Sequence, residues 1–75
     1  MKWRAFAAAP DQVIAEMWCE MVRSKGIDCQ LEHANPSFLG PSMYSVRLMA
    51  PEDEYAKALR VLRESVQLGP ENLVE

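Results

Sequence analysis

Three side chains in this 75-residue sequence have chemistry that could hold a metal or supply a nucleophile and a base: Cys19, Cys29 and His33. Their spacing argues against both uses. His33 is the only histidine, and general acid-base work needs a partner within hydrogen-bond reach. Glu32 is adjacent in sequence, but on an extended strand it points to the other face. Cys29 shares the face of His33 but lies four residues away, about 13 Å along a strand. Structural zinc sites bring their ligands in close pairs on tight turns; here no such pair exists and a fourth ligand is missing. The carboxylates of Glu52, Asp53 and Glu54 are better explained as negative charge at the start of a helix. No catalytic residue, metal site or cofactor is therefore expected, and the chain does not read as an enzyme.

The cysteines are not in a CxxC. A secreted domain of this size usually needs two or more disulfides, so two cysteines point to a reducing compartment. They read as partly buried free thiols, ahead of a single disulfide or a reactive thiol. The segment Trp3 to Ala9 is too short and too weakly apolar for a signal-peptide core. No run approaches the length of a membrane span, so a cytoplasmic location is expected.

Charge removes further classes. Eight basic and eleven acidic side chains leave a formal charge of −3. Nucleic acid is bound largely by Lys and Arg neutralising phosphates, and anionic membrane surfaces attract basic clusters. This chain has no basic run, so neither partner is expected. An RNA-recognition domain would also need aromatic side chains on the open face of its sheet. Here that face would offer at most Trp3 or Phe6 beside Ser45, Arg47 and Glu32.

What remains is binding to protein or to a small molecule. Phe38 and Leu39 are two large apolar residues in a segment bounded by Pro36, Gly40 and Pro41. Loops run over the surface, so such a pair either caps the open end of the core or contacts a partner. Trp18, flanked by Met17 and Met21, is a second candidate. Its simpler role is in the core, but at the margin of a helix stripe it could anchor an interface.

The elements that position these residues follow from periodicity. Trp3 to Ala8 reads as a strand. Pro10 suits the first position of a helix, with Asp11 near its positive end. Val13, Ile14, Met17, Trp18, Met21 and Val22 are three pairs spaced by four, an amphipathic stripe. Gly26 ends that helix, and Ile27 packs back on Val22. Cys29 to His33 alternates as a half-buried strand, Ala34 to Met43 is a loop, and Tyr44 to Met49 alternates again. A second helix starts at Pro51 with three acids, carries Tyr55, Ala58, Leu59, Leu62 and Val66, and stops at Gly69-Pro70.

The order predicts one α+β domain over 1–75, with a core at 3–68 and a tail at 69–75. It is a ferredoxin-like βαββα sandwich. Right-handed connection of the first strand-helix-strand unit gives sheet order 1-3-2, with both helices on one face. The core face holds Cys29, Leu31, Val46 and Leu48; Gln30, Glu32, Ser45 and Arg47 face outward. The tail either frays or supplies a short fourth strand through Leu73 and Val74. If it does not, the outer edge of the first strand is open to a second copy.

The Ala-Pro-Asp helix start, the Gly26-Ile27-Asp28-Cys29 lead into the second strand, the Pro/Gly loop and the segment Val46-Arg47-Leu48, Pro51-Glu52-Asp53, Ala56 and Ala58-Leu59 resemble the DUF2007 family over roughly residues 3 to 66. That family is described as prokaryotic signal-transducing proteins and is compared in fold to the nitrogen-regulatory PII proteins. The resemblance implies a bacterial cytosolic domain with a regulatory or binding role, and it carries over no functional residues. The expectation is a small regulatory or protein-interaction module that binds a protein partner or itself, with Phe38, Leu39 and Trp18 as contacts. The alternative is a small-molecule-sensing domain.

Overall fold

The computed structural model describes residues 2–33 and 46–73. Its elements in chain order are β1 (Trp3–Ala9), α1 (Gln12–Arg23), β2 (Gln30–His33), β3 (Val46–Pro51) and α2 (Tyr55–Ser65), with 3-10 turns at Glu52–Glu54 and Pro70–Asn72. The sheet order is β1-β3-β2, and β3 pairs antiparallel with both neighbours. This is the expected ferredoxin-like α+β arrangement. None of the described helices is long and apolar enough to cross a membrane.

The core face is set by strand alternation. Val46 and Leu48 are buried, Arg47 between them is exposed, and Cys29 is buried beside the start of β2. Leu31 opposite Leu48 is half-buried. On the other face Glu32 and Arg47, direct cross-strand partners, form an ion pair at 3.7 Å. Both side chains are about half exposed, so the pair sets register more than stability.

β1 departs from simple alternation. Its register with β3 shifts between Ala5 and Ala7, which leaves Phe6 as an extra residue. Such a bulge re-aims side chains and sharpens the twist. It allows Phe6, Ala7 and Ala9 all to enter the core, each with no exposed surface. Ala15, Ala50 and Ala58 are equally buried. These small side chains let the helices lie close to the sheet, and Phe6, Val22, Val46, Leu48 and Leu62 fill the remaining space.

α1 begins two residues later than proline placement predicts. Asp11, in extended conformation, is the N-cap, and its side chain accepts a 2.9 Å bond from the Ile14 N–H. Pro10 therefore precedes the cap. Asp11 satisfies one of the free amides at the helix start as well as placing charge there. Asp11→Ala removes that bond, and the expected loss is about 1 kcal/mol, read from the midpoint of urea unfolding. At the other end Gly26 takes φ +81°, and Ile27 enters the core with Val22. A left-handed residue is required there, which explains the glycine.

The stripe on α1 is rotated from the expected one. Its buried residues are Ala15, Trp18, Cys19 and Val22; Ile14 and Met21 are half-buried, and Val13 and Met17 are exposed. α2 keeps its expected face, with Ala58 and Leu62 buried and Tyr55, Leu59 and Val66 packed at the margin. The three acids form a separate 3-10 turn before it, because Pro51 still belongs to β3. α2 ends at Ser65, where Val66 turns extended, ahead of Gly69-Pro70.

No fourth strand forms among the described residues. The chain after Gly69 makes a 3-10 turn instead, and the Asn72 side-chain amide donates a 3.0 Å bond to the Ala8 carbonyl. That end of β1 is thus capped by a side chain rather than by another strand.

Candidate functional site

The expected contact residues separate. Phe38 and Leu39 lie outside the described residues, as do the whole expected loop Ala34 to Met43 and the expected strand residues Tyr44 and Ser45. Trp18 is 9% exposed and belongs to the core cluster. The neighbouring Met17 is 51% exposed, and Val13, one turn earlier, is 66% exposed.

The orientation of α1 explains this. Two side chains fix which flank meets β2. Arg23 donates two bonds to the Cys29 carbonyl, at 3.1 and 2.7 Å from Nε and Nη2. Gln12 Oε1 contacts His33 Nε2. Residues 12, 19 and 23 fall on one side of a helix that turns about 100° per residue. Ile14, Met21, Met17 and Val13 therefore run down the opposite flank, away from β2. Ile14 and Met21 pack at the edge of the core, while Met17 and Val13 reach water. The result is a continuous apolar flank that grades from half-buried to exposed, with two methionines in it. Methionine is unbranched and polarisable, and it adapts to irregular partner surfaces.

The sequence signal for this flank is broad. The six residues of the expected stripe span about 180° of the helix, wider than a core-facing face needs. Counting the small residues Ala15 and Cys19 moves the centre of the stripe away from Val13 and Met17.

A concavity lies at the opposite end of α1. A cleft of about 520 Å³ opens between Trp3, Arg23 and the Gly26–Gln30 segment. Its size falls within the range of small-ligand sites. Arg23 reaches it with its guanidinium already bonded to Cys29 and 3.7 Å from Glu20.

The three residues with reactive chemistry are brought together only in part. Cys19 and Cys29 are buried free thiols in the same cluster. Burial pushes the Cys29 thiol far above its ordinary value; the Cys19 thiol adds to this, and the Arg23 charge opposes it. A thiol held protonated is a poor nucleophile and metal ligand. His33 sits at the far end of β2 against Gln12. Among the described residues no group of three His, Cys, Asp or Glu side chains is placed to hold a metal ion. Around the sheet, Arg4 stacks over the Tyr55 ring at 3.9 Å, tying β1 to the start of α2.

No family model, no curated protein and no solved structure matches this chain.

Proposed function

We propose that this chain is a small regulatory or protein-interaction module of bacterial, cytoplasmic type that acts by binding rather than by catalysis. The observation that carries the reading is the exposed Val13–Met17 end of an otherwise core-packed apolar flank on α1. Phe38 and Leu39 remain proposed contacts in the loop between β2 and β3. Trp18 supports the flank from beneath, since it packs in the core on the same helix. The resemblance to the DUF2007 family and its signal-transducing description accord with this reading.

A second reading is a small-molecule sensor, favoured by the cleft between Trp3, Arg23 and Gly26–Gln30. One experiment separates the two. Wild-type and Met17→Glu chains are used side by side as bait in extract of the native host, and both are screened by thermal shift against metabolites. The interaction reading expects the variant to keep the wild-type melting temperature and to lose at least tenfold of a specific bound protein. Equal capture by both baits, with a metabolite that raises both melting temperatures, supports the sensor instead. A ligand at a hundred times its dissociation constant adds about 2.7 kcal/mol, ample for detection.

A further inference from the structure

We propose that Cys19 and Cys29 form an intramolecular disulfide when the chain meets an oxidising low-molecular-weight disulfide, making the pair a reversible clamp between α1 and the entry to β2. This depends on neither reading of the function.

The fold brings the two thiols into one cluster from different elements. Cys19 lies on the flank of α1 that meets β2. Arg23, one turn further along that flank, donates bonds of 3.1 and 2.7 Å to the carbonyl of Cys29 itself. The backbone of Cys29 is thereby held against the helix face that carries Cys19. Both residues are buried, at 2% and 3% exposure, in the same core cluster. The Cys19 thiol also adds to the forces that keep the proton on Cys29, an effect of short range. These are the only two cysteines in the sequence, so no third thiol competes for either.

The core suits the oxidised pair. Ionising a buried thiol is costly, whereas a disulfide carries no proton and is apolar. Exchange proceeds in two steps. In a transient opening one cysteine, as thiolate, attacks the small disulfide; a mixed disulfide forms and one small thiol leaves. The second cysteine then attacks the protein sulfur of that mixed disulfide, so the Cys19–Cys29 bond forms and the second small thiol leaves. Two cysteine thiols are oxidised, one small disulfide is reduced to two thiols, and the two protons pass to the leaving thiolates. Cys29 also lines the cleft beside Trp3 and Arg23, which gives the reagent an approach. Burial slows the first attack, but the equilibrium is set by how well the fold holds the pair together.

The wild-type chain is equilibrated at neutral pH against graded ratios of oxidised to reduced glutathione, both in native buffer and in denaturing urea. Acid quenching and mass spectrometry then read the intact chain and the peptides that join residues 19 and 29. Each native equilibrium is approached from the reduced chain and from chain oxidised in urea, so slow access is not mistaken for absence of the bond. The native product is expected to be lighter by two hydrogens and to carry no glutathione. Its constant for bond formation is expected to exceed that of the unfolded chain at least tenfold, which by linkage stabilises the fold by about 1.4 kcal/mol. A native constant equal to or below the unfolded one overturns the proposal. So does a native product with glutathione on either cysteine. Equal capture by the α1 variant bears on the function reading and leaves this result unaffected.

Discussion

Phe6→Ala is expected to remove about 3–5 kcal/mol of folding stability, the usual cost of emptying a buried phenylalanine site. Phe6 has no exposed surface and is among the largest fully buried side chains. It enters the core through the bulge in β1, where Ala7 and Ala9 beside it are too small to close over a void. A chain of this length has a total stability of about 4–11 kcal/mol on the usual per-residue scale. The variant is therefore expected to be largely unfolded, or to melt far below the wild type. Urea unfolding followed by circular dichroism checks this. A loss under about 1 kcal/mol would show that Phe6 stands outside the core and that β1 pairs in another register.

Stability is also expected to fall steeply in alkali, and Cys29 is the cause. The unfolded thiol titrates near 9.0, whereas the folded one is held protonated well above that by burial. Below the unfolded value both states keep the proton and the thiol has no effect on the balance. Above it the unfolded chain releases a proton that the native chain retains. Stability then drops by about 1.4 kcal/mol for each pH unit until the native thiol also ionises. The comparison that isolates this group is with Cys29→Ala. That variant is expected to start less stable, because it loses a buried sulfur, but to show a shallower decline from pH 9 upward. Parallel curves for the two proteins would remove Cys29 as the origin.

Much of the fold was legible because the strands and helices carry different periods. Val46-Arg47-Leu48 alternates cleanly, and it proves to be the central strand with Arg47 in water. Gly26 marks its left-handed turn, as expected. What escaped the sequence depends on contacts remote in the chain. The bulge at Phe6 arises from the register of β1 against β3, and no local signal announces it. The fourth strand expected through Leu73 and Val74 does not form among the described residues: Pro70–Asn72 makes a 3-10 turn, Asn72 reaches Ala8, 64 residues away in sequence, and Val74 lies outside the described residues. Asp11 as cap was readable in principle, since Asp before an apolar period is a helix-start signal that competes with Pro at the first position.

The candidate site was less legible. Trp18 was noted for its neighbours, yet the helix presents Met17 and Val13 to water and draws Trp18 inward. Ala15 and Cys19 decide that rotation: small residues face the closely approaching sheet, and the larger pair on the far flank is left outside. The cleft at Trp3 joins the start of the chain to the α1–β2 segment, a juxtaposition that only the folded sheet creates.

Chemical-shift mapping on the isotope-labelled chain, titrated with the protein that the wild-type bait retains, tests the binding reading most directly. The largest changes are expected at Val13, Met17 and Met21, fading toward Trp18 beneath them. Changes confined to Trp3, Arg23 and Gln30, with α1's outer flank silent, would contradict it.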